Sequence, residues 1–244
     1  MAPISKFFTG QKSQRELPCN NSPALLEEMK PSSSDVERVI ISAKFEEVPN
    51  NVTEDEVRIA MFVTDASGSM SGNQSTMQKA LKDSASELAK LNPNAFIMEA
   101  RFADDNITSK QLILAESYQP SYKADGGGTN LYDAILWAIA RAKDMKRTYR
   151  QEQDVNAKIN VCVFTDGLEN YSKAKKTDVI AALNAIKDDG IPVYIIACGV
   201  GKEQFRDLGI DSRYVFECNA ASDSISKTFA RVSQCMSKNL SRKF

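Results

Sequence analysis

The chain contains no histidine among its 244 residues. That absence removes the commonest general base and metal-ligating side chain, and with it every Ser-His-Asp or Cys-His catalytic arrangement. Any metal held here must be bound through oxygen or sulfur. Sulfur is scarce too: Cys19, Cys162, Cys198, Cys218 and Cys235 are scattered, and no two form a CxxC pair. Cys162 and Cys198 lie inside apolar runs, the setting of small buried hydrophobes. The odd cysteine count and the lack of a signal-peptide pattern point to a reducing compartment, cytoplasmic, or nuclear in a cell that has a nucleus. No apolar run approaches the roughly 20 residues that span a bilayer, so no membrane contact is expected. Excess charge is missing as well. With 31 basic against 32 acidic residues the formal charge is −1, which argues against direct nucleic-acid binding over a broad basic surface.

What is present is ordinary for a water-soluble globular chain, with 42% hydrophobic and 26% charged residues, enough for one large core without staples. Residues 1–34 carry Pro, Ser, Asn and Gln without a sustained period and read as a flexible tail, interrupted by Ile4, Phe7 and Phe8 and by a short helix around 24–29. From Asp35 to the end, residues 35–244, the pattern is that of a folded domain. Alternation at Val39, Ile41, Ala43 and Phe45 predicts an extra strand within 36–48. The run VRIAMFVT (57–64) predicts a strand buried on both faces. Met77, Leu81, Ala85, Leu88 and Leu91 predict a helix over 74–91. The segments AFIMEARFADD and SKQLILAES predict two short strands around an Asp-Asn turn. A helix over 130–146, a strand over 159–165, a helix over 177–188 stopped by Gly190 and a strand over 192–198 follow. A short helix at 203–208, a strand at 213–217 and a helix at 222–237 complete the set. Strands alternating with helices specify a doubly wound α/β domain: a mostly parallel central sheet with helices on both faces.

In such sheets ligands sit beyond the carboxyl ends of the strands, where the strand order switches. Three clusters of small polar residues are expected at those ends: Asp65-Ala66-Ser67-Gly68-Ser69-Met70, Gly126-Gly127-Gly128-Thr129-Asn130 and Thr165-Asp166-Gly167. Among them Asp65, Ser67, Ser69, Thr129 and Asp166 offer two carboxylates and three hydroxyls. Hard oxygen donors with little charge suit Mg²⁺ or Mn²⁺, which keep several waters. Asp65, Ser67 and Ser69 alternate along one loop and can point the same way. Three glycines carry Thr129, which is expected on an exposed loop. Asp133, four residues on, reads either as a carboxylate facing the site from behind the ligands or as an exposed acid in the first turn of a helix.

These residues resemble the metal-ion-dependent adhesion site of the von Willebrand factor A family. That site joins a DxSxS loop, here DASGS, to a distant threonine, here Thr129 in GGGTNLYDAI, and a distant aspartate, here Asp166 in VFTDG. The resemblance covers roughly residues 57–237, and DxSGSM together with TDGLEN gives it the texture of intracellular and bacterial A domains. It implies that Asp65, Ser67 and Ser69 coordinate Mg²⁺ directly, that Thr129 does so in a ligand-bound state, and that Asp166 acts directly or through water. It also implies a protein partner whose Asp or Glu carboxylate completes the ion's shell, and an adaptor or assembly role without enzymatic activity.

Other readings compete. Ser67 and Ser69 could be plain helix caps and Asp166 a turn residue, but that leaves three coinciding clusters unexplained. A Mg²⁺-dependent phosphohydrolase would need a nucleophile or base at the ion, and no second Asp stands two residues after Asp65. The glycines match neither a P-loop nor GxGxxG after a first strand. At the start of the chain, Ile4, Phe7 and Phe8 resemble the hydrophobic plug of motifs that dock on DNA sliding clamps, with Met1 where such motifs carry glutamine. That reading makes the protein a clamp-associated factor in replication or repair.

Overall fold

The computed structural model describes residues 56–167 and 169–241. The tail, its Ile4, Phe7 and Phe8, the helix at 24–29 and the strand within 36–48 lie outside the described residues.

The first strand, β1 (Glu56–Asp65), is buried from Ile59 to its end. Helix α1 (Gln74–Leu91) follows and leads to β2 (Ala95–Ala103), whose hairpin partner is β3 (Asn106–Ser109), with the two-residue β4 (Ile113–Leu114) just beyond. Helix α2 (Leu131–Glu152) returns the chain to β5 (Asn156–Thr165). Then come α3 (Lys176–Ala185), β6 (Val193–Cys198), the single turn α4 (Glu203–Arg206), β7 (Val215–Cys218) and α5 (Ser222–Leu240). The strands form one sheet in the order β3-β2-β1-β5-β6-β7, with β4 beside β3 on β2. Pairings among β2, β1, β5, β6 and β7 are parallel, whereas β3 and β4 run antiparallel to β2. The doubly wound, Rossmann-like architecture is therefore present. Its switch point falls between β1 and β5, because β2 lies on one side of β1 and the chain crosses back to lay β5 on the other.

Alternation along the strands sorts the core into two layers. Ala60, Phe62, Cys162, Phe164 and Ile196 face α1 and α5, which answer with Met77, Leu81, Leu88, Ile225, Phe229 and Met236. Helix α2 packs against β1 and β5 on the opposite face. It is buried at most positions, Trp137 included, so it is apolar on more than one side. Phe229 anchors the first layer, stacking on Phe164 with ring centroids 5.6 Å apart and leaning on Phe62 at 6.4 Å.

Four elements differ from the sequence expectation. The hairpin after β2 closes at once, Ala103 pairing with Asn106, because Asp104 adopts φ 55° and turns the chain there. The expected strand at 109–117 is reduced to Ile113–Leu114, both exposed. Helix α2 runs beyond 146 to Glu152, since Met145 and Tyr149 carry its buried face through a charged stretch. It stops where Tyr149 accepts from the N–H groups of Gln153 and Val155 and Asp154 takes φ 53°. Helix α3 ends at Ala185, and turns lead to Gly190 at φ 65°.

Truncating the aromatic anchor tests this packing. Phe229→Ala should cost about 3–5 kcal/mol in a denaturant melt, the range for a large ring removed from a filled core. A cost under about 1 kcal/mol would mean that α5 is not fixed through this ring.

Candidate functional site

Neighbouring strands β1 and β5 end level, Thr64 opposite Phe164, so Asp65 and Asp166 emerge side by side at the carboxyl edge. Asp65 is fully buried. One carboxylate oxygen accepts from the Ser67 N–H at 3.0 Å, the other from the Thr165 hydroxyl at 2.8 Å. Its carbonyl accepts from the buried Tyr122 hydroxyl at 2.6 Å. The Ser67 and Ser69 hydroxyls lie 3.1 Å apart, and Ser69 donates to Asp166 at 3.0 Å. Asp65, Ser67, Ser69 and Asp166 thus form one hydrogen-bonded chain. Thr129 closes the group from the third loop: a Cβ built on Gly167 would sit 3.2 Å from its hydroxyl oxygen. Four of the five residues singled out in the sequence are joined by hydrogen bonds, and Thr129 stands beside Gly167, next to Asp166.

Two local expectations change. Ser67 precedes the short 3-10 turn Gly68–Asn73, yet its side chain makes no capping bond and is turned toward Ser69 instead. Thr129 is not on an exposed loop. It is only 3% exposed, because its N–H donates to the Asn170 side chain at 2.9 Å while its carbonyl accepts from the Asn170 and Tyr171 N–H groups.

The loops are held by acidic side chains bound to backbone. Asp104 accepts from the Gly127 and Gly128 N–H groups at 2.9 and 2.7 Å, and its own N–H donates to Gly128. Those two donors hold its carboxyl below the usual range. Gly126 donates to the Ala66 carbonyl and forms a bridge with Ser67. A Cβ on Gly126 would stand 2.1 Å from that of Ala103, so no other residue fits there unshifted. Glu169 accepts from the Tyr132, Tyr171 and Ser172 N–H groups. Asp133 is 4% exposed, buried rather than a solvated first-turn acid. Both its oxygens are occupied by the Lys173 and Ala174 N–H groups at 3.0 and 2.9 Å. Sequence reading gave Asp104 no role and took Glu169 and Asn170 only as part of the TDGLEN motif. It also missed Tyr171, whose ring lies against the Gly128 backbone yet stays 51% exposed beside the site.

The electrostatics are unbalanced. Burial raises the Asp65 carboxyl above the usual range, its bonds to Ser67 and Thr165 pull partly against this, and the neighbouring Asp166 raises it further. Burial likewise raises Asp166, partly offset by the bond from Ser69. Neither carboxylate is in an ion pair with a Lys or Arg among the described residues, and hydrogen bonds alone oppose the effect of burial. Among the described residues no three Cys, Asp or Glu side chains gather as a metal cluster. A cation at this edge would therefore rest on two carboxylates, three hydroxyls and solvent. That donor set is all hard oxygen and fits Mg²⁺ or Mn²⁺.

Residues 61–231 match the family model described as von Willebrand factor type A domain. The chain belongs to that family. As a fold, this A domain is similar to the pilus adhesin SpaC from Lactobacillus rhamnosus GG in its open conformation, with TM-score 0.58 and 13% identity over 79% of this chain and 31% of SpaC. It therefore spans about a third of the adhesin's length. It is also similar to the VWA domain of SpRpn10, with TM-score 0.52 and 13% identity over 71% of this chain and 94% of that one. No curated protein matches the sequence. The A-domain family is one of protein-interaction modules, and no helix among the described residues is long and apolar enough to cross a membrane.

The tight seat of Gly126 gives a direct test. Gly126→Ala should destabilise the domain by about 1–3 kcal/mol, as overpacking does, and amide exchange should quicken first at residues 126–130. An unchanged melt would show that Ala103 yields freely.

Proposed function

We propose that this A domain holds one Mg²⁺ or Mn²⁺ on Asp65, Ser67, Ser69, Thr129 and Asp166, and that the ion receives a carboxylate from a protein partner. The observation that carries this reading is a buried carboxylate, Asp65, beside a half-buried one, Asp166, linked through serine hydroxyls and, among the described residues, in no ion pair with a Lys or Arg. A dication offsets both charges at once. The three hydroxyls are neutral, so the ion keeps enough electrophilic character to favour a further anionic oxygen over water in a partly dry groove. An Asp or Glu on a partner surface supplies one. The half-exposed Tyr171 ring beside Thr129 offers apolar area for the residues flanking that carboxylate.

The chain's own contribution is to place oxygens. Asp104 and Glu169 fix the loops from beneath, Thr165 orients Asp65, and Ser69 orients Asp166. The hydroxyls that donate to Asp65 and Asp166 meet only carboxylates, which are weak bases and are taken up by the ion in this reading, and the chain has no histidine. The proposed activity is therefore binding, in an adaptor or assembly role, and not phosphate-ester hydrolysis. Turnover of a phosphatase substrate with Mg²⁺, lost in Asp65→Ala, would reverse that assignment.

Metal binding is read most directly with Mn²⁺, whose free-ion paramagnetic resonance signal falls on binding. Wild type should remove the signal stoichiometrically, and Asp65→Ala should not. Mg²⁺ should also raise the melting temperature of wild type alone, because a ligand that binds only the folded state stabilises it by mass action. Equal Mn²⁺ uptake by both proteins would sink the site.

Thr129→Val separates ligand from scaffold. Valine keeps the buried shape and the backbone bonds and removes only the hydroxyl, so stability should move by about 1 kcal/mol or less. Mg²⁺-dependent, EDTA-reversible capture of partner should nevertheless be lost, while Thr129→Ser retains it. Equal capture by Thr129→Val and wild type would remove the hydroxyl from the ligand set.

A further inference from the structure

The carboxyl edge of the sheet carries a second group of reactive side chains that the metal reading does not use. Cys198 ends β6 and Cys218 ends β7, and the two are direct partners in the parallel register. Opposed residues on neighbouring strands point to the same face and lie about 4.8 Å apart. That separation falls within the roughly 4.4–6.8 Å between Cα atoms that a disulfide spans. Both thiols are free, Cys198 buried and Cys218 half-buried. Both pack on the α1–α5 side of the sheet, Cys198 within that core cluster and Cys218 against it. The Gly199 N–H donates to the Cys218 carbonyl at 2.8 Å, so the backbone already holds the two strand ends together. Cys162, by contrast, lies deep in the core and is paired in register with Tyr194.

We propose that Cys198 and Cys218 are a reversible dithiol–disulfide pair, closed by exchange with a small disulfide such as oxidised glutathione. One thiolate of the pair attacks one glutathione sulfur, forming a mixed disulfide and releasing one glutathione thiolate. The other cysteine, deprotonated in turn, attacks the protein sulfur of that mixed disulfide and displaces the second glutathione. Both protons end on the two released glutathione thiols, and the protein loses two electrons to the glutathione disulfide. The bond ties together the ends of β6 and β7, from which the loops at Gly199 and Asn219 leave on the same edge as Asp65 and Asp166. It requires no metal.

The test is oxidation of the folded full chain with oxidised glutathione, followed by alkylation and peptide mapping. Trypsin places Cys198 in the peptide 188–202 and Cys218 in 214–227, each with a single cysteine. The expected result is a cross-link between these two peptides with loss of two hydrogens. It should be reversed by dithiothreitol and accompanied by an unchanged far-ultraviolet circular dichroism spectrum. Cys218→Ser, a small change at a half-buried position, should lose the cross-link completely while folding as wild type. If that variant fails to fold, the wild-type peptide map decides. The proposal is overturned if the two cysteines are recovered singly alkylated or glutathionylated. It is equally overturned if cross-links involve Cys19, Cys162 or Cys235 instead, or if the bond forms only in denaturant.

Discussion

Two acidic side chains at the ends of adjacent parallel strands are brought together by the register of β1 and β5, and much of the carboxyl edge is arranged around that crowding. A carboxylate buried beside another is costly, and a chain folds this way only if donors or a cation compensate. Here neutral donors do part of the work. The Ser67 N–H and the Thr165 and Ser69 hydroxyls each bind an oxygen of Asp65 or Asp166. They orient the carboxylates without removing the net negative charge, which is what the proposed cation site requires. A lysine in the same position would neutralise the site permanently and close it.

The loops that bring the other oxygens are irregular, and irregular backbone next to a core must find partners for its N–H and C=O groups. Asp104, Glu169, Asn170 and Asp133 meet that requirement, each accepting from one or more loop N–H groups. Most of these bonds join residues far apart in sequence, Asp104 to Gly128 and Asp133 to Ala174 among them. The edge is therefore stitched from several loops and is stiffer than its glycine content suggests. Stiffness serves binding, since oxygens already in place need not be ordered when an ion or a partner arrives.

This division explains what the sequence made legible. The buried strands at 57–64 and 159–165 and the helix over 74–91 could be read because burial on two faces or on one stripe leaves a local apolar period. The five oxygen-bearing residues could be singled out because three short motifs resemble the adhesion site of the A family, two of them directly after buried strands and one directly before a helix. The roles of Asp104 and Glu169 could not, since an acid in a turn looks the same whether it faces solvent or holds a distant loop. Thr129 was misjudged as exposed for a related reason: its cover comes from Asn170 and Tyr171, about forty positions away in the chain. The extension of α2 to Glu152 was hidden because only Met145 and Tyr149 keep its period alive among charges.

The same topology accounts for the separation between what folds the domain and what it offers to others. Phe62, Phe164 and Phe229 lock the sheet to α1 and α5 well inside the core, whereas the chemistry-bearing side chains gather where the strands stop. A parallel sheet sends all its strand ends to one edge, so acids, hydroxyls and thiols that would disturb the core collect there together. Asp65 ends β1 and Asp166 stands one residue beyond β5, whereas Cys198 and Cys218 end β6 and β7 as direct register partners. Both pairings follow from neighbouring parallel strands that stop at nearly the same level, and each leaves two side chains whose mutual approach a proposed cation or a proposed bond would relieve.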